Sequence, residues 1–128
     1  MEINVKQLNT DALAYMGDAV YEQFVRRRLL ANGMQRAHNM QKTAVKYVSA
    51  VAQAQAVRDM FEELSEEEQR LVKRARNHKY SSKAKNADPI TYKWATAFEA
   101  LVGHLYLIGD TARLNQIMEK AAEAVEQK

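Results

Sequence analysis

Two carboxylates in this sequence have the type and setting for chemistry. Asp18 follows Gly17 in a run, Leu13 to Glu22, that otherwise reads as a helix with an apolar face. A glycine inside a helix costs about 1 kcal/mol relative to alanine, so its presence argues that something approaches the backbone closely. Glu99 stands alone among core-type residues, in Ala95-Thr96-Ala97-Phe98-Glu99-Ala100-Leu101-Val102-Gly103. A buried carboxylate needs a cation, a hydrogen-bond network or a proton. An arginine on a neighbouring helix would make Glu99 purely structural, whereas a meeting with Asp18 would make a two-carboxylate metal site. Asp18 alone is one more helix acid, and Glu22 has Arg26 four residues on as an ordinary partner.

The elements that must position these residues are helices. One Pro and 4 Gly among 128 residues, with abundant Ala, Glu, Gln, Lys, Met and Leu, predict an all-α protein in one domain, residues 1–128. Asn9 or Thr10 caps a first helix that runs to about Ala31 and stops at Asn32-Gly33. Leu13, Met16, Val20 and Phe24 form its expected core stripe, with Asp11, Asp18 and Glu22 on a face well away from it. Tyr21 and Val25, beyond that stripe, suggest a surface for a second copy.

Residues 34–64 keep a helical pattern, broken near Lys46-Tyr47-Val48 with Ser49 as a new cap. Ser65 and Glu68 have capping-box spacing and open a helix through Ala75. Asp88-Pro89 starts the helix of Glu99, apolar on nearly every side and expected to be central, which Gly109 ends. Along it Tyr92, Thr96, Glu99 and Gly103 form a stripe that would line a cleft. A last amphipathic helix runs from Asp110 or Thr111 through Val125.

Charge is distributed unevenly. The balance of 19 Lys+Arg to 16 Asp+Glu, net +3, says little. Between residues 70 and 93, however, Arg70, Lys73, Arg74, Arg76, Lys79, Lys83, Lys85 and Lys93 face a single acid, Asp88. Residues 77–87 read as an exposed loop, and such a segment leading to Glu99 suits a polyanion. There is no Cys, which excludes thiolate chemistry and fits a reducing, cytoplasmic setting. No run is apolar enough for a membrane span. His38, His78 and His104 have no metal-ligand spacing, and no phosphate-binding glycine loop is present.

Tyr15-Met16-Gly17-Asp18-Ala19-Val20 resembles the signature of ribonuclease III catalytic domains, and Thr96 to Gly103 resembles their second metal-binding helix. Arg74-Ala75-Arg76-Asn77 and Thr91-Tyr92 look like the short bacterial branch, mini-ribonuclease III. The resemblance covers almost the whole chain in the right order. It implies a compact helical endonuclease, homodimeric and magnesium-dependent, acting on double-stranded RNA in 23S ribosomal RNA maturation, with no C-terminal double-stranded-RNA-binding domain. The expected products are 5′-phosphate and 3′-hydroxyl ends. Asp18 and Glu99 become the catalytic metal ligands, and Arg74, Arg76, Asn77, Lys79, Lys83 and Lys85 the RNA-binding set, with Ser81 and Ser82 as further hydrogen-bonding partners.

The chain also departs from the larger enzymes. Ala14 and Thr96 stand where they carry further acids, so the metal site is pared down to Asp18 and Glu99, with Asp11, Glu22 and Thr96 as supporting residues. This reduced acid count motivates a rival, a non-catalytic helical module that binds structured RNA or a ribosomal partner. The sequence leaves open whether a ribosomal protein shapes the substrate.

Overall fold

The computed structural model describes residues 2–78 and 88–128. Six α-helices account for most of them: α1 (Thr10–Ala31), α2 (Ala37–Val48), α3 (Ala50–Met60), α4 (Glu66–Asn77), α5 (Pro89–Leu107) and α6 (Thr111–Glu126). Short 3-10 turns at Val5–Gln7 and Phe61–Glu63 complete the order, and neither turn was expected from the sequence. Among the described residues there is no strand, and no helix is long and apolar enough to cross a membrane.

The caps follow from local chemistry. The Asn9 side chain accepts from the Ala12 N–H at 2.8 Å, and Ser49 accepts from Ala52 N–H at 3.2 Å. Ser65 and Glu68 form the reciprocal capping box at the start of α4. Asp88 accepts from Thr91 N–H ahead of Pro89. The segment after α1 turns through Gly33, at φ +94°, and α2 starts only at Ala37, so residues 34–36 are not helical as expected.

The centre of the packing is α5, which meets α1 most extensively and also α3, α4 and α6. Phe98, Leu101 and Val102 on it are fully buried, and Phe98 stands edge-on to Tyr21, ring centres 4.9 Å apart. At the periphery, Arg28 of α1 grips Glu126 and Glu119 of α6 while the Tyr47 hydroxyl of α2 donates to Glu126. Arg113 of α6 clamps the buried Glu68 of α4 with two bonds of 2.9 and 2.8 Å.

The buried side of α1 differs from the expected stripe. Leu13, Gly17, Val20, Tyr21, Val25 and Leu29 are buried, whereas Met16 and Phe24 are only half-buried. The helix is rotated because Gly17, invisible to a count of apolar side chains, is a contact residue. Tyr21 at 1% exposure and Val25 at 0% are therefore core residues, and the suggestion that they face a second copy is overturned.

Candidate active site

Helix α1 crosses α5 at two glycines, and this crossing builds the site. A Cβ on Gly17 would lie 1.7 Å from the Glu99 carbonyl oxygen and 2.8 Å from the Gly103 nitrogen. A Cβ on Gly103 would lie 1.9 Å from the Leu13 carbonyl oxygen. Each glycine thus admits the other helix's backbone, an approach that no side chain permits. The close approach anticipated at Gly17 is the backbone of the Glu99 helix itself. Asp18, one position round from Gly17, consequently sits at the edge of the contact and not on a remote face. The stripe Tyr92, Thr96, Glu99 and Gly103 is closed at its Gly103 end by α1, so that end lines no cleft.

The carboxylates of Asp18 and Glu99 interact directly. Asp18 is exposed and Glu99 partly buried, so one acid faces solvent and the other lies beneath it. Burial first, and then the neighbouring Asp18, push the Glu99 carboxyl up to about 9, with the Gln53 amide acting in the opposite sense. Among the described residues no ion pair involves Glu99, so the structural arginine partner is not what stabilises it.

Gln53 of α3 is the component that sequence reasoning missed. It is 4% exposed, its Nε2 donates to the Val48 carbonyl at 2.7 Å, and its Oε1 has no hydrogen-bond partner. The signal available was a glutamine in an otherwise alanine-rich run, Ala50 to Ala56, which by composition alone reads as a surface position.

Among the described residues no three His, Cys, Asp or Glu side chains converge as a metal-ligand set. The donors present are two carboxylates beside an amide with an orphaned buried oxygen. Such an all-oxygen set fits a hard cation that keeps several waters, and magnesium is of that kind. Glu99, costly as an anion against Asp18, gains most from a positive charge placed between them.

The remaining candidates are dispersed. Thr96 is buried, and its hydroxyl donates to the Tyr92 carbonyl at 2.9 Å. Glu22 pairs with Arg26 at 3.0 Å, the ordinary surface partner anticipated. Asp11 lies 3.4 Å from His78 Nε2, beyond the end of α4. Ala14 is buried in the core.

On the basic side, Arg74 and Asn77 are exposed near the end of α4. Arg76 stacks over Trp94 at 4.9 Å and bonds to Asn77 Oδ1 at 3.1 Å. Arg58 lies over the same Trp94 ring at 5.6 Å. Lys79, Ser81, Ser82, Lys83 and Lys85, and with them most of the expected loop, lie outside the described residues.

Comparison with known proteins identifies the family. The ribonuclease III domain family matches residues 11–110, a span containing both carboxylates. A mini-ribonuclease 3 from Brevibacillus brevis is 48% identical over 118 residues, covering 92% of this chain and 88% of that protein. One from Streptococcus pneumoniae is 42% identical over 126 residues, covering 97% of this chain and 98% of that protein. A crystal structure of a Fusobacterium nucleatum protein superimposes with a TM-score of 0.83 at 26% identity, covering 94% of this chain and 97% of that one. The matched span includes the glycine crossing and the acid pair, and the chain belongs to the mini-ribonuclease III family, nucleases of the ribonuclease III type.

Proposed function

We propose that this protein is a magnesium-dependent endoribonuclease that cleaves double-stranded RNA during 23S ribosomal RNA maturation, leaving 5′-phosphate and 3′-hydroxyl ends. The observation that carries the reading is the juxtaposition of Asp18 and Glu99 at a crossing where two glycines remove every intervening side chain. Asp18, which is exposed, and Glu99, which is partly buried, would hold the cation. When bound, magnesium supplies the positive charge that polarises the scissile phosphate and activates water for in-line attack. Glu99, held protonated by burial and the neighbouring Asp18, would give up its proton when a divalent cation binds beside it. Residues 1–128 act as one catalytic domain in this reading, and its own basic residues contribute to recognition.

Arg74, Arg76 and Asn77, continued by Lys79, Lys83 and Lys85, provide charge and hydrogen bonds for phosphate and ribose. A-form RNA offers a deep major groove that side chains hardly read and a wide minor groove with 2′-hydroxyls, so backbone contacts dominate. A homodimer suits the substrate, because two-fold symmetry sets one acid pair against each antiparallel strand. A ribosomal protein that shapes the substrate is compatible with this arrangement. Asp11, Glu22 and Thr96 remain supporting residues.

The test is cleavage of duplex RNA with magnesium and with EDTA, using wild type, Asp18→Asn and Glu99→Gln. Wild type should cleave only with magnesium, and both variants should stay folded and inactive. Full activity in either variant refutes the site. The small acid count favours one second reading, a non-catalytic RNA-binding module of the same fold. It requires wild type to bind duplex RNA and leave it intact under both conditions.

A further inference from the structure

The buried face of α3 carries one polar side chain that packing does not explain. Its neighbours Ala54, Ala56 and Val57 are apolar and buried, whereas Gln53 brings a whole amide into the same environment. The orientation of that amide is fixed, because only a nitrogen can donate to the Val48 carbonyl 2.7 Å away, at the last residue of α2. The same amide interacts with the Glu99 carboxylate. Its oxygen is buried and accepts nothing. An unpaired buried carbonyl oxygen costs about 1–3 kcal/mol, which a leucine of similar size would avoid.

We propose that Gln53 is a positioning residue of the acid pair, with its Nε2 orienting the Glu99 carboxylate and its Oε1 accepting a hydrogen bond from a water that hydrates the bound divalent cation. This rests on the reading that Asp18 and Glu99 take magnesium. The two roles belong to one planar group. Nε2 is held by the Val48 carbonyl at the end of α2, and the same amide is near enough to Glu99 to favour its ionised form. Oε1, on the same amide carbon, is the acceptor left over. Magnesium keeps several of its waters, and their hydrogens need acceptors that a pair of acids shared with phosphate does not supply in full. Removing an outer partner of this kind typically weakens metal affinity or activity by about 10–100-fold.

Two measurements on wild type, Gln53→Leu and Gln53→Glu test this. The first is the magnesium concentration that half-saturates the rise in Tm of the protein without RNA. The second is the magnesium dependence of duplex RNA cleavage at saturating substrate. Gln53→Leu should leave the metal-free Tm within a few degrees of wild type, because removing the orphaned oxygen offsets the loss of the donor to the Val48 carbonyl. Its half-saturating magnesium should rise about 10–100-fold in both measurements, with kcat at saturating magnesium within about 5-fold of wild type. Gln53→Glu keeps an acceptor oxygen but loses the Nε2 donor, so its half-saturating magnesium should rise by less than in Gln53→Leu.

Unchanged magnesium dependence in Gln53→Leu overturns the proposal while leaving the nuclease reading intact. If the leucine variant does not fold, Gln53→Met decides, and an unchanged magnesium dependence in it overturns the proposal. A wild type with neither a magnesium-dependent Tm nor magnesium-dependent cleavage overturns the nuclease reading itself, and the role of Gln53 with it.

Discussion

Replacing Gly17 with alanine tests the crossing on which the acid pair depends. The new Cβ would stand 1.7 Å from the Glu99 carbonyl oxygen and 2.7 Å from its carbon. Ordinary contact needs more than 3 Å, so α1 and α5 must separate by roughly 1.5 Å at this point or slide past each other. Both obstacles are helix backbone, and no flexible side chain is available to yield. Overpacking of this kind costs about 1–3 kcal/mol, and a backbone clash belongs at the upper end or beyond it. Gly17→Ala should therefore lose about 3 kcal/mol and lower Tm by roughly 10–15 °C. A displacement of about 1 Å in a reacting group can cost roughly 100-fold in rate, so cleavage should fall by a comparable factor even well below the new Tm.

Thermal unfolding by circular dichroism and cleavage of duplex RNA at 25 °C, each with and without magnesium, read the two effects separately. The control is Gly33→Ala, where φ is +94° and nothing lies within 4 Å of the new Cβ. It should cost about 1 kcal/mol from backbone strain alone and leave cleavage unchanged. Wild-type Tm and wild-type cleavage in Gly17→Ala would refute the argument that the close backbone approach sets the geometry of the site.

Two further outcomes concern binding and stability. Changing Lys79, Lys83 and Lys85 together to Ala should weaken duplex RNA binding and flatten its dependence on salt by roughly 2 in log–log slope, measured by filter binding from low to moderate salt. An unchanged slope would remove these lysines from the binding surface. In the buried Glu68–Arg113 pair, hydrogen bonding to Arg113 first, and then the Ser65 cap, hold the Glu68 carboxyl below its ordinary value against the opposing effect of burial. The unfolded chain then takes up the proton more readily, so the stabilisation is present above about pH 4.5 and is lost as pH falls through the folded value. Denaturant unfolding should accordingly show wild type losing more stability than Glu68→Gln between about pH 6 and pH 3. Equal losses would mean that the pair contributes nothing at neutral pH.

The helices were legible because their signals are local. Asn9, Ser49, the Ser65–Glu68 box and Asp88-Pro89 mark helix starts through hydrogen bonds within three or four residues, and the structure keeps each of them. The central place of α5 was legible too, since a helix apolar on every side must be surrounded. Glu99 was conspicuous for the same reason: a lone acid in such a helix must find a partner.

What the sequence left undetermined was orientation. The apolar stripe pointed to Leu13, Met16, Val20 and Phe24, but Gly17 turns α1 so that Tyr21 and Val25 are buried instead. Hydrophobic periodicity measures side chains, and a glycine contact is made by backbone, so the pattern could not register it. For Gln53 the reason is different. In sequence it is one of two glutamines among alanines, beside Gln55, and only the packing of α3 against α5 puts its amide near Glu99.

The sequence by itself determined that this is an all-helical chain, where most of its helices begin, and that Glu99 is out of place. It also carried both family motifs in order. Only the tertiary structure decided that Asp18 reaches Glu99, since the two are far apart in the chain and the approach requires two glycines on different helices to coincide. The structure likewise decided that Gln53, and not an arginine, stands with them, because partners across a helix interface are set by packing and not by spacing along the chain.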